Sequence, residues 1–224
     1  MYKELYVLQN GKPERMIIRN YTERDFDALI DVQKQSFPPP YPAELWWNKE
    51  QLLLHTTLFA DGALCAEING VIVGSMTCLI VEQQEYEHQH EWSTVTDDGY
   101  IRNHNPQGDT LYVADICVIP DYRKAGIGKW LMQSMYETVV ELGLQALLGG
   151  GRMPGYDKHK DFLTPQQYVD QVIEGQLNDP VISFLLRCGR VPVGVAHQYL
   201  DDEQSCNNAV IMEWRNPFLV KSQA

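Results

Sequence analysis

Hydrophobic positions along the chain change their period repeatedly, and each change marks an element. Mostly apolar runs at 5–8 and 16–19 flank Asn10-Gly11, a favoured pair for a two-residue hairpin turn. Thr22 is placed to cap a helix, with Asp25 three residues on and Phe26, Leu29, Ile30 and Val32 on its apolar side. After the proline-rich 38–42, which cannot be helical, a second helix is expected over 43–59, carrying Trp46 and Trp47. Two strands follow at 63–68 and 71–81, joined by Asn69-Gly70. A buried strand over 111–119 stops at Pro120, and from Ile127 the spacing becomes Ile127, Leu131, Met135, Val139 and Leu142, one face of a helix that Gly143 ends. A strand at 145–148 runs into a glycine-rich turn, 149–156. Thr164 and Pro165 open another helix, and Gly189 ends one over 180–188. Strands at 191–199 and 209–214 pair antiparallel, and the tail from 216 is expected to be loose.

This order, strand, two helices, three strands, helix, strand, helix, two strands, predicts a mixed α+β sheet in one domain over 1–224, with its core at about 16–215. Two segments exceed what a connection needs: 82–109 and about 150–178. Long connections in compact domains tend to carry function. The first holds Glu87, His88, His90 and Glu91, but His-x-His without further ligands at fixed spacing does not make a metal site, and none is assigned.

The chemistry concentrates between the central strand and its helix, in Arg123-Lys124-Ala125-Gly126-Ile127-Gly128-Lys129. Glycines at a helix start let backbone approach an anion closely, and the unpaired first-turn amides with three cations favour phosphate. A P-loop is excluded, because Trp130 stands where Ser or Thr belongs and no Gly lies four residues before Gly128-Lys129. A dinucleotide fingerprint is excluded by Leu131 at its third glycine position. With Val118, Pro120, Arg123, Gly126 and Gly128 in register, the stretch resembles the acyl-CoA motif V-x-P-x-x-[RQ]-x-x-G-x-[GA] of the GNAT superfamily of N-acyltransferases. The runs 99–106, 149–156 and 179–181 further resemble the GNAT domain that some bacterial proteins carry ahead of a nitrilase-type carbon-nitrogen hydrolase. That resemblance spans about 16–215, and the hydrolase half is absent from this sequence.

Composition narrows the partners. A net charge of -12 and a pI near 4.8 argue against nucleic acid, which rewards basic surfaces, and suit a cationic substrate. Cysteines 65, 78, 117, 188 and 206 form no C-x-x-C pair, the N-terminus has no apolar signal region, and no apolar run is long enough for a bilayer. A cytoplasmic protein without membrane contact is expected.

The resemblance implies the GNAT fold, a mostly antiparallel mixed sheet flanked by helices, and direct transfer from acetyl-CoA to a small-molecule primary amine without metal. The backbone of Ile116, Cys117 and Val118 would pair with the pantetheine arm, and Arg123, Lys124, Ala125, Gly126, Ile127, Gly128 and Lys129 would hold the pyrophosphate. Cys117 as a covalent nucleophile is the alternative. Asp115 is the general-base candidate, or else the partner of Arg102 or Arg152. The family's usual acid, a Tyr four residues before the last helix's glycine, is replaced by Leu185, and Arg190 stands where an aromatic usually follows. Tyr156 is therefore the acid candidate, with Tyr199 behind it. Tyr100, Arg102, His104 and Arg152 are the acceptor-site candidates. If both arginines faced the acceptor, it would carry a carboxylate beside its amine. A non-catalytic acyl-CoA sensor is the alternative function, and a homodimer is an expected assembly.

Overall fold

A computed structural model describes residues 1–86 and 90–219. Eight strands make one sheet in the order β1-β2-β3-β4-β5-β6-β8-β7. They are β1 (Tyr2–Gln9), β2 (Lys12–Asn20), β3 (Ala63–Ile68), β4 (Val71–Val81), β5 (Thr110–Val118), β6 (Ala146–Arg152), β7 (Val191–Ala196) and β8 (Ala209–Arg215). Both Asn-Gly pairs form the expected turns, with Asn10 and Gly11 at φ 51° and 77° and Asn69 and Gly70 at 52° and 79°. All neighbours are antiparallel except β5 and β6. The fold is the GNAT fold, a mixed sheet flanked by helices.

Helices α1 (Phe26–Ser36) and α2 (Lys49–Leu58) lie on one face. Gln33 of α1 reaches Asp115 and Cys117 on that face of β5. Helix α4 (Ile127–Glu141) packs on the other, and α6 (Pro180–Arg187) sits beside it, with Phe184 against Gly128. The short α3 (Trp92–Thr96) lies within the first long connection. That connection is tied down by Gln51, which donates to the Asp98 carbonyl at 2.8 Å, and by His55 Nε2, 2.7 Å from the Gly99 carbonyl. In the second insertion, Thr164 and Pro165 open α5 (Pro165–Ile173) as expected. Asp179 caps α6 and also accepts from Tyr168 of α5 at 2.9 Å, so one buried carboxylate joins the two helices.

Three expectations fail. The helix expected from 43 begins at Lys49, because Asn48 supplies a capping box with Gln51 and Trp46 is held extended (φ -71°, ψ 143°). Strand β7 ends at Ala196 rather than at 199. Most instructive is 149–152, expected as a turn but running as the second half of β6, where Gly149, Gly150 and Gly151 each pair with β8. Packing makes the glycines necessary there: a Cβ on Gly150 would lie 2.3 Å from the Tyr199 ring, and one on Gly151 would lie 2.6 Å from Leu185.

Candidate active site

The functional geometry begins where two strands part. β5 and β6 pair only across Thr110–Tyr112 and Ala146–Leu148. Beyond that, β5 stays with β4 and β6 with β8, so a wedge opens between them. At its root the β4–β5 register shifts, with Thr77 opposite Asp115 and Cys78 opposite Val113, leaving Ala114 as a bulge. Trp92 donates its indole N–H to the Ala114 carbonyl at 2.9 Å, on the open side. Ile119 donates to Val73 across the β4–β5 ladder, so by antiparallel alternation the polar groups of Ile116 and Val118 turn toward the wedge. Apart from the Val118 carbonyl, which Arg123 takes, they form a free strand edge of the kind an extended, amide-bearing arm pairs with.

The wedge leads to the start of α4. Gly126 is its N-cap at φ 84° and Lys124 lies at φ 71°, so the loop doubles back before the helix and leaves the first-turn amides of Ile127, Gly128 and Lys129 without intrahelical partners. Lys124 and Lys129 are exposed beside them. Gly128 serves packing too: a Cβ there would meet the Phe184 ring at 3.1 Å. Arg123 spends Nε on the Val118 carbonyl (3.0 Å) and Nη2 on the Ser36 carbonyl (2.9 Å), so it braces the loop against β5 and the end of α1. An anionic, amide-bearing chain such as coenzyme A fits this combination of free edge, open helix start and exposed lysines.

On the α1 face of β5, Asp115 accepts from Gln33 Nε2 at 2.7 Å. Burial is the main cause that pushes its pKa up to about 6, against the opposing pull of Cys117, Gln33, the Ile116 amide and Arg152. It pairs with neither arginine considered for it. Arg152 forms a two-pronged pair with Asp202 at 2.8 and 2.7 Å, and Arg102 pairs with Asp97 at the surface. Cys117 is buried with its thiol 3.3 Å from Ser75 Oγ, and burial raises its pKa well above the usual thiol value. A thiol so held is a poor nucleophile.

The acceptor candidates do not gather. Arg102 covers the Tyr100 ring at 4.7 Å, and His104 stacks on Phe59 and accepts from the Ile80 amide. Only Arg152 neighbours Asp115, and its guanidinium lies 4.9 Å over the ring of Tyr41. Tyr156 is buried and donates its hydroxyl to the Leu163 carbonyl at 3.0 Å, closing its own loop. Arg190 is buried and donates to the Met212 carbonyl. Sequence reasoning named Tyr199 but missed Gln33, Tyr41, Asp202 and Tyr112, whose hydroxyl lies 2.9 Å from that of Tyr199, since each meets its partner through non-local packing. Among the described residues no His, Cys, Asp or Glu group could hold a metal ion, and no helix is long and apolar enough to cross a membrane. Glu87 and His88 lie outside the described residues.

Comparison with known proteins gives the geometry a context. Residues 26–150 match the acetyltransferase (GNAT) family model. An uncharacterized N-acetyltransferase of Bacillus subtilis, YkwB, is 53% identical over 220 residues, covering 98% of this chain and 97% of that one. The probable hydrolase YhcX of the same organism is 40% identical over 204 residues, 91% of this chain but 39% of its own length. Among solved structures, the GNAT-like decarboxylase GphF bound to isobutyryl-CoA aligns with TM-score 0.73 at 23% identity, covering 89% of this chain and 98% of that one. The loading GNATL domain of CurA from Lyngbya majuscula aligns with TM-score 0.77 at 16% identity, over 90% and 98%. At such identities these two establish the fold alone.

Proposed function

The chain belongs to the GNAT acetyltransferase family, and from that premise we propose that it transfers an acetyl group from acetyl-CoA directly to the primary amine of a small molecule. The observation that carries this reading is the placement of Asp115 at the root of the wedge. The free edge of Ile116 and Val118 starts one residue further on and runs toward the open start of α4. The family's thioester supplies an activated acetyl group. In this reading Ile116 and Val118 hold its pantetheine arm through backbone, and Lys124, Lys129 and the amides of residues 126–129 hold its phosphates. Arg123 keeps that loop in place.

An amine of pKa near 10 is only about one part in a thousand neutral at pH 7, so the site must remove a proton. Asp115, poised near 6 by burial, is ionised at neutral pH and basic enough to accept one. Gln33 orients its carboxylate. Arg152, already paired with Asp202, does not offer an open cation for a substrate carboxylate, so the favoured acceptor is a simple cationic amine. The YhcX similarity supports reading this chain as the counterpart of one portion of a larger protein, in line with the nitrilase-linked resemblance.

Thermal unfolding with and without excess acetyl-CoA tests the cofactor half. Binding at a hundred times Kd adds about 2.7 kcal/mol, a rise of roughly 5–10 °C for a chain of this size. Gly126→Glu and the double substitution Lys124→Glu, Lys129→Glu should abolish the rise, and an amine screen then reads turnover. Absence of any rise in the native protein would sink the reading.

A further inference from the structure

A line of three side chains crosses the core beside the wedge. Its outer end is His90, which lines a groove of about 570 Å³ floored by Leu148, Val195 and Ile211 of β6, β7 and β8. His90 Nε2 lies 3.0 Å from the Tyr112 hydroxyl, which lies 2.9 Å from that of Tyr199. Both tyrosines are buried, at 0% and 3% exposure, so the middle of the line is sealed from solvent. With Nε2 as the acceptor tautomer, Tyr112 can donate to His90 and accept from Tyr199, a sense that both contacts allow.

The inner end lies at the divergence. Tyr112 is the last β5 residue paired with β6, and the Tyr199 ring rests on Gly150, just past the last β6 residue so paired. Tyr41, under the Arg152 guanidinium, is a further aromatic hydroxyl in the molecule. The line thus runs from the root of the wedge to an open groove.

Acetyl transfer from a thioester to an ammonium forms one C–N bond and breaks one C–S bond. Of the ammonium's protons, one stays on the amide, one goes to the departing sulfur and one must leave the site. We infer that Tyr199, Tyr112 and His90 carry this released proton out to the groove. A proton arriving at the Tyr199 oxygen passes as each hydroxyl hands its own hydrogen to the next oxygen and finally to Nε2. Burial holds the His90 pKa near 4, so the imidazole passes the proton on to groove water instead of keeping it. The three are relay residues that act through one another, and the inference rests on the acyl-transfer reading.

The test uses the full chain, with thiol release followed for the best amine of the screen. Tyr112→Phe and His90→Ala should lower kcat about ten- to hundredfold, leave both KM values within about twofold and raise the solvent deuterium isotope effect on kcat. Added imidazole should restore His90→Ala and not Tyr112→Phe. The acetyl-CoA thermal shift checks that each variant is folded, and Tyr199→Phe stands in if Tyr112→Phe is not. Native kcat and isotope effect in Tyr112→Phe, or loss without imidazole rescue in His90→Ala, would overturn the relay alone. A native protein that turns over no amine overturns the acyl-transfer reading and the relay with it.

Discussion

Asp115 shows at the scale of one residue how a site is set against stability. Its folded pKa, near 6, lies above the unfolded value of about 3.9, so between these values the folded chain binds more protons. Its contribution to stability is therefore full below pH 4 and lost as pH rises through 6, by up to about 3 kcal/mol. Asp115→Asn keeps the shape without the charge. It should raise the unfolding temperature by several degrees at pH 8, leave it nearly unchanged at pH 4, and cut kcat/KM by about 10²–10⁴. In the native enzyme kcat/KM should climb through a limb near pH 6, and a flat profile there would remove Asp115 from the proton transfer. Gln33, a helix residue with no motif around it, holds this carboxylate at 2.7 Å.

At the scale of elements, β6 carries the clearest packing demand. Three glycines in a row read as a turn, yet the strand continues through them because Tyr199 rests on Gly150 from one face and Leu185 on Gly151 from the other. Gly150→Ala puts a methyl 2.3 Å from the Tyr199 ring and should cost about 1–3 kcal/mol in urea unfolding. Gly194→Ala, on exposed β7 with nothing within 4 Å, should change stability by no more than about 0.5 kcal/mol. Equal changes at both positions would mean that the Tyr199 contact does not explain Gly150. The start of α4 presents the opposite case. Gly126 has open space around it, and its left-handed φ is what favours glycine there.

At the scale of the whole molecule, a net charge of -12 makes long-range attraction of a cationic amine salt-dependent. The amine KM should rise about two- to fivefold between 20 and 200 mM salt, as screening shortens the reach of that field. An amine KM indifferent to salt would confine recognition to short-range contacts. What this sequence determined by itself is local. The Asn-Gly hairpins, the Thr22, Thr164 and Gly143 helix boundaries and the Val118-to-Gly128 loop depend on neighbours a few residues apart, and their spacing is visible along the chain. The position of Asp115 on the central strand was legible for the same reason. The tertiary structure alone decided what surrounds it. Gln33, 82 residues away, reaches Asp115, Arg152 turns to Asp202 rather than to Asp115, and Tyr112 meets Tyr199 across 87 residues. Hydrophobic period records which side of an element faces the core. It carries no record of which polar groups meet there, because a buried hydrogen bond is satisfied by any partner that packing brings within reach.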